Sequence, residues 1–183
     1  MDKKRFSLLI IVVLLTVLLT ACGANDSDVT EGNDFPDLLS FTAQTLDGGE
    51  FTARDFADTD LTMINIWGTY CGPCLREMPE LAQLANSLPD NVRMITFCID
   101  ASDAADAARK IMDEAGFDSI TLVSGDGDLE KLLLNLQYVP TTVFVDSEGR
   151  QVGEAAIGSP ANVDEFYTDA INNALNAIGK DAI

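Results

Sequence analysis

The chain has 183 residues, enough for one domain, and carries 30 acidic against 11 basic side chains for a formal charge of −19 at pH 7. This acidity argues against a basic face that binds nucleic acid or anionic lipid by charge. Histidine is absent, which removes the usual zinc and copper ligand and any Cys–His or Ser–His nucleophile pair. The four cysteines are not arranged like the disulfide framework of a small secreted domain.

The N-terminus has the layout of a secretory signal. Basic residues at 3–5 precede an apolar run at 6–19, which is short for a membrane-spanning helix of about 20 residues. The run ends in Leu-Thr-Ala-Cys22, which resembles the bacterial lipobox, where the cysteine becomes the lipidated N-terminus. We therefore predict a signal peptide over 1–21 and a lipid anchor on Cys22. An ordinary cleaved signal or an uncleaved anchor are the alternatives, and each of them also exports the domain.

The segment that follows Cys22 is small, polar and acidic, so residues 22–34 are predicted to be a disordered tether. The folded domain is expected to cover 35–183. Its first element is a predicted hairpin with strands at 41–45 and 50–53, which flank the turn sequence Asp47-Gly48-Gly49.

A near-continuous apolar run at 61–67 predicts a buried strand of a parallel sheet, and Cys71-Gly72-Pro73-Cys74 follows it. Pro73 fits just inside a helix start, so both thiols belong to the first helical turn, where the leading sulfur meets exposed N–H groups. A strand that leads into CxxC at a helix start predicts a dithiol/disulfide redox site. Two other roles for this motif are disfavoured. A purely structural disulfide would close a very short loop and stabilise the fold little. A zinc site would need further ligands, and the sequence has no second CxxC.

The remaining elements alternate between helix and strand, which predicts a central sheet with helices on both faces. Cys98 is expected to be a buried small hydrophobe. The predicted elements are a strand at 92–99, a helix at 104–115 with Gly116 at its C′ position, a strand at 119–123, a short helix with Asp128 as N-cap, a strand at 142–146, a partner strand from Arg150, and a final helix from Ser159-Pro160.

Three stretches, FTAQTLDGGEFTARDF, NIWGTYCGPCLREMPEL and YVPTTVFVDSEGR, resemble the TlpA/ResA-like thioredoxin-fold disulfide reductases that act outside the cytoplasm. The resemblance covers essentially the whole mature domain. It implies an α/β, thioredoxin-like fold: a central mixed sheet flanked by helices, with an N-terminal β-hairpin and an extra αβ unit around 104–123.

The resemblance also implies roles for single residues. Cys71 matches the attacking thiolate and Cys74 the buried resolving thiol. Pro140 matches a cis-proline that faces the dithiol, although only about 5–6% of X–Pro bonds are cis in general. That geometry would leave the backbone of Val139 free to pair with an extended substrate segment.

One position departs from ordinary thioredoxins, which carry a buried aspartate where this chain has Asn65. An amide cannot take the proton from Cys74. The membrane-anchored reductases carry a glutamate three residues after the second cysteine, and Glu77 is at that position, so we expect it to tune the thiols. A solvated helix carboxylate is the alternative.

Four residues around the motif complete the predicted substrate-binding surface together with Val139 and Pro140. They are Trp67, Tyr70, Gly72 and Pro73, and for Trp67 plain core packing is the alternative.

The resemblance implies a membrane-anchored oxidoreductase on the outer face of the bacterial cytoplasmic membrane, or in the periplasm, that reduces protein disulfides. Gly-Pro between the cysteines favours a potential nearer about −270 mV than about −120 mV. Electrons would come from a CcdA/DsbD-like membrane thiol carrier, and the disulfide itself would be the redox group, since no flavin, nicotinamide or metal motif is present. The alternatives are an electron donor to an extracellular methionine sulfoxide reductase or peroxidase, and a non-catalytic peptide- or ligand-binding lipoprotein, against which the two thiols argue.

Overall fold

The computed structural model describes residues 35–183. The predicted signal peptide, Cys22 and the tether lie outside these residues. Among the helices at 35–183, none has the length and apolar character needed to span a bilayer.

Within residues 35–183, seven strands form one mixed sheet in the order β2-β1-β5-β4-β3-β6-β7. The central strands β3, β4 and β5 are parallel, whereas the pairs β1–β2, β1–β5, β3–β6 and β6–β7 are antiparallel. The mixed sheet that the sequence predicted is confirmed. The strands are β1 (Thr42–Thr45), β2 (Glu50–Thr52), β3 (Leu61–Trp67), β4 (Val92–Cys98), β5 (Thr121–Gly125), β6 (Thr141–Asp146) and β7 (Ala156–Ile157).

Helices cover both faces of the sheet. The helices are α1 (Gly72–Ser87), α2 (Ala101–Ala115), α3 (Gly127–Asn135) and α4 (Val163–Ala177), and a 3-10 helix spans Ala53–Asp58. Apolar side chains of α1, α2 and α4 pack in one core, and those of α3, the hairpin and the 3-10 helix pack in the other. The α2–β5 unit is the predicted αβ addition, and Gly116 ends α2 at φ 71°, as expected for a C′ glycine.

The strand β3 separates the two cores. All seven of its side chains are buried, and they alternate between the faces because successive side chains of a strand point in opposite directions. Met63 and Trp67 belong to the core under α1 and α4, whereas Ile64 and Ile66 belong to the other core. Asn65 therefore faces α1 and α4.

Two helix starts differ from the predictions. Asp126, and not Asp128, is the N-cap of α3. Neither carboxylate caps the helix, because Asp126 accepts from the Thr42 N–H (2.7 Å) and Asp128 from the Ser40 N–H (2.8 Å), so the contact with the N-terminal segment sets where α3 begins. The last helix begins at Val163, with Asn162 as its N-cap, and not at residues 159–160. The Asn162 side chain accepts from a first-turn N–H, so the helix starts where this cap is available.

The predicted strand from Arg150 is also shorter than expected. It consists of a single bridge between Gln151 and Val145, and the last strand of the sheet is β7, further along the chain. The Gln151 backbone N–H donates to the Asp37 carboxylate at 2.8 Å. This N–H is therefore bound by the N-terminal segment and is not available for pairing with a neighbouring strand.

Gly127 provides a test of how closely the N-terminal segment packs on α3. Its φ is +58°, and a Cβ there would lie 2.3 Å from the Ser40 carbonyl oxygen, whereas a Cβ at Gly116, also at positive φ, would meet open space. We expect Gly116→Ala to lower the free energy of unfolding by about 1 kcal/mol. Gly127→Ala should lower it by about 2–4 kcal/mol, because overpacking adds to the strain. Urea unfolding of the oxidised proteins measures both, and equal losses would contradict the close approach.

Candidate active site

The site begins where β3 ends and α1 starts. Cys71 is the N-cap of α1, with φ −85° and ψ 99°, and its Sγ accepts a hydrogen bond from the backbone N–H of Cys74 at 3.3 Å. Pro73 lies in the first turn, where a missing N–H costs nothing. The Cys71 sulfur is thus at the positive end of the helix, which stabilises a thiolate there.

Cys71 and Cys74 form a disulfide, and the two residues differ in access to solvent. Cys71 is 7% exposed, at the edge of the core, whereas Cys74 is 0% exposed. A second molecule can therefore approach only the Cys71 side of the disulfide.

The loop before β6 faces this sulfur. The Val139–Pro140 peptide bond is cis, as the resemblance implied, and the Val139 carbonyl oxygen lies 3.5 Å from the Cys71 Sγ. In the disulfide this sulfur carries no hydrogen, so the interaction is a contact; a reduced thiol could donate to the same oxygen. The Pro140 carbonyl accepts from the Gly158 N–H at 2.8 Å, which ties the loop to β7.

Exposed groups surround the Cys71 sulfur. Gly72 and Pro73 are exposed, and the neighbouring Tyr70 side chain is 70% exposed. Trp67 is fully buried, which favours the core-packing alternative over substrate contact. Tyr138, 64% exposed just before Val139, was missed by the sequence analysis. Its position before the Val139–Pro140 pair is the only sequence signal that could have found it.

Glu77, three residues after Cys74 on α1, is buried at 2% exposure, so it is not a solvated helix carboxylate. Its Oε1 accepts a hydrogen bond from the Asn65 Nδ2 at 3.3 Å. Burial raises the pKa of Glu77, and the charge of Glu80 raises it further, while Asn65 and the nearby Ser159 lower it in part. The other carboxyl oxygen, Oε2, has no hydrogen-bond partner among residues 35–183.

Two polar residues that the sequence analysis missed lie behind Asn65. Asn65 Nδ2 also donates to the Thr142 Oγ1 at 3.0 Å, and that hydroxyl is hydrogen-bonded to the Tyr167 Oη at 3.0 Å. Burial raises the pKa of Tyr167 to about 12, with a further contribution from the Glu77 charge, so the phenol is neutral. No local signal in the sequence links these residues, since they come from different strands and helices.

A carboxylate also holds the turn that precedes Cys71. Asp100 accepts hydrogen bonds from the Thr69 backbone N–H (3.0 Å), from the Thr69 hydroxyl and from the Cys98 thiol (3.3 Å). Burial raises the pKa of Asp100, but these hydrogen bonds outweigh it and the net pKa is lowered. Cys98 is buried as predicted, and burial, helped by Asp100, raises its pKa to about 12.

The model of the family described as Redoxin matches residues 30–169. The chain belongs to the Redoxin family. It is 24% identical over 159 residues to the thiol-disulfide oxidoreductase ResA of Bacillus subtilis. This alignment covers 82% of this chain and 85% of that protein. It is 29% identical over 100 residues to the thiol:disulfide interchange protein HelX of Rhodobacter capsulatus, which covers 55% and 54% of the two chains.

Solved structures agree with this family. The dsbF structure from Mycobacterium tuberculosis, in its mixed oxidised and reduced forms, superposes with a TM-score of 0.57 at 25% identity, over 72% of this chain and 92% of that one. A thiol:disulfide interchange protein from Bacteroides shows the same fold, with a TM-score of 0.60 at 19% identity, over 77% and 90% of the two chains. This Redoxin-family chain is a thiol-disulfide oxidoreductase of the ResA/DsbE type with a Cys71–Cys74 pair.

The buried carboxyl of Glu77 makes stability depend on pH. Folded Glu77 holds its proton more tightly than unfolded Glu77, so stability falls as pH rises from about the ordinary value of 4.5 through the raised folded pKa. We expect Glu77→Gln to increase the free energy of unfolding of the oxidised protein at pH 7, and the gain should vanish below pH about 4. Urea titrations across pH measure this; the exposed Glu154→Gln is the control, and a pH-independent gain would contradict the assignment.

Proposed function

We propose that this oxidoreductase reduces protein disulfides outside the cytoplasm, held at the membrane by a lipid on Cys22. The observation that carries the thiol-disulfide exchange is the difference between the two sulfurs. One caps a helix and can be reached, and the other is buried next to it and can only react internally. The redox group in this proposal is the dithiol itself, with no bound cofactor.

The proposed cycle starts from the reduced dithiol. The Cys71 thiolate attacks one sulfur of a substrate disulfide, and the other substrate sulfur leaves as a thiolate. Cys74 then loses its proton and attacks the Cys71 sulfur, which breaks the mixed disulfide and releases the second substrate sulfur as a thiolate. The substrate gains two electrons, and the protein keeps the Cys71–Cys74 disulfide.

The buried Cys74 needs a group that accepts its proton, and we assign this role to Glu77. Glu77 follows Cys74 by three positions on the same helix, and both side chains are buried. Burial raises the pKa of Glu77, so its carboxylate is a stronger base than an exposed one and a better acceptor for the thiol proton.

Substrate binding is assigned to the Val139 backbone and to the exposed residues around Cys71. The Val139 carbonyl lies beside the reactive sulfur, so an extended segment pairing there would bring its own sulfur to Cys71. Tyr70 and Tyr138 flank this point in the chain, one next to Cys71 and the other next to Val139, and both are largely exposed. Two aromatic side chains can cover apolar residues on either side of the substrate cystine.

The reductive direction requires electrons from inside the cell, so a membrane thiol carrier is part of this proposal. The Gly72-Pro73 pair, exposed between the sulfurs, supports it, since this pair occurs in thioredoxin-like reductants and favours a low potential.

Variants of the two cysteines test the function. The wild type should speed insulin reduction by dithiothreitol, and Cys71→Ser should lose this activity altogether. Cys74→Ser should also fail to turn over but should accumulate a mixed disulfide through Cys71, because no internal thiol can release it. Cys98→Ser is the control and should keep turnover. The trapped partners decide between a general reductase and a dedicated donor to a methionine sulfoxide reductase or peroxidase, and an active Cys71→Ser variant would refute the proposal.

The two tyrosines test the substrate surface. Tyr70→Ala and Tyr138→Ala should each raise the KM for a protein disulfide by about tenfold, because each removes an aromatic contact of about 1–2 kcal/mol. The rate with a small aromatic disulfide should change little. Phe166→Ala removes an exposed aromatic on α4 and serves as the matched control. Equal effects of all three variants on KM would contradict the assigned surface.

A further inference from the structure

A row of polar side chains crosses the sheet on the face that α1 and α4 cover. The row follows the strand register, in which Asn65 pairs with Thr96 on one side and Thr142 on the other, and Thr96 pairs with Thr121. All four side chains are buried, and the neighbouring side chains on this face are apolar. A buried polar group destabilises a fold unless it is paired, so such a row needs a reason beyond packing.

The row consists of two hydrogen-bonded pairs that differ in their surroundings. Thr96 and Thr121 bond to each other at 2.9 Å, and neither makes a further side-chain hydrogen bond within residues 35–183. The Asn65–Thr142 pair continues outward to Glu77 on α1 and to Tyr167 on α4. Only the second pair joins the sheet to the helix that carries the dithiol.

The orientation of the Asn65 amide determines which protonation state of Glu77 it favours. Nδ2 carries two hydrogens, and Asn65 donates one to the Thr142 Oγ1 and the other to the Glu77 Oε1. A donor on Oε1 favours the ionised carboxyl. An amide turned the other way would present its Oδ1 to the carboxyl and would favour the protonated form.

The other carboxyl oxygen is in a different position. Glu77 Oε2 is buried and makes no hydrogen bond with any residue of the described domain, and the Asn65 Oδ1 is likewise buried and unpaired there. One oxygen of Glu77 is thus held by a neutral donor while the other is left to bind a proton. Cys74 is the buried thiol one helical turn before it.

We propose that Asn65, held by Thr142 and Tyr167, is a positioning residue that keeps one oxygen of Glu77 bound and leaves the other free to take the proton from Cys74. This inference rests on the proposed function of Glu77. Proton transfer breaks the S–H bond of Cys74 and forms an O–H bond on Glu77 Oε2, and the resulting thiolate attacks the Cys71 sulfur.

Other groups also face Glu77, and of these the Ser159 hydroxyl lowers its pKa as Asn65 does. On its own helix these are Cys74 and the exposed Glu80, whose negative charge opposes ionisation. From α4 comes Tyr167, a neutral phenol, and from the preceding loop comes the Ser159 hydroxyl. Among residues 35–183 no cation shifts its pKa, and the Asn65 amide is the donor that holds the carboxyl from the sheet side.

The test measures the pKa of Glu77 directly, by a ¹³C NMR titration of the full chain labelled at its glutamate carboxyls, with Glu77→Gln to assign the resonance. Asn65→Leu keeps the shape but removes the donor, and the midpoint should rise by about one pH unit. Thr142→Val and Tyr167→Phe should raise the Glu77 midpoint by a smaller amount. These two variants replace Asn65→Leu in the test if that variant does not fold. Thr96→Val, an equally buried threonine of the same row, should leave the midpoint unchanged.

The pH profile of insulin reduction separates this inference from the proposed function. The acid limb should move with the Glu77 midpoint in the Asn65 and Thr142 variants. An unchanged or lowered midpoint in Asn65→Leu, or an equal shift in Thr96→Val, overturns the inference and leaves the role of Glu77 standing. A wild-type acid limb in Glu77→Gln overturns that role instead, while the NMR midpoints still show whether Asn65 holds the carboxyl.

Discussion

The junction of β3 and α1 is the constraint on which the rest of the site depends. A helix start leaves backbone N–H groups without partners, and here the sulfur of Cys71 accepts one of them. The capping atom and the reactive atom are therefore the same. The loop that carries Val139 and Pro140 reaches this point because it leads into β6, the antiparallel neighbour of β3, with Ile66 opposite Thr141. Strand register, and not the loop alone, brings the two halves of the site together.

The same register places a polar cluster in a core that is otherwise apolar. Asn65 and Thr142 are cross-strand partners, and α1 and α4 add Glu77 and Tyr167 above them. A paired polar residue in a core contributes little net stability, and an unpaired carboxyl oxygen lowers it. The fold therefore keeps groups below the dithiol that packing alone would not select, which is typical of functional sites.

Much of this arrangement could be predicted from local signals. The apolar run before CxxC, the Asp-Gly-Gly turn and Gly116 each determine structure within a few residues, and the elements they predict are present. What these signals could not predict depends on contacts between residues that are distant in the sequence. Apolar spacing could not reveal that Glu77 is buried while Leu75 is partly exposed, because a carboxyl does not count toward a core stripe. Nothing near Tyr167 in the sequence indicates that its hydroxyl meets β6.

Very short strands form both edges of the sheet. β2 has three residues and β7 has two, so seven strands present only a few unpaired backbone groups to neighbouring molecules. Long free edges invite strands of other chains to add on, and short ones resist this. The short edge strands β2 and β7 therefore give the sheet little free edge on which an extended segment of another chain could pair.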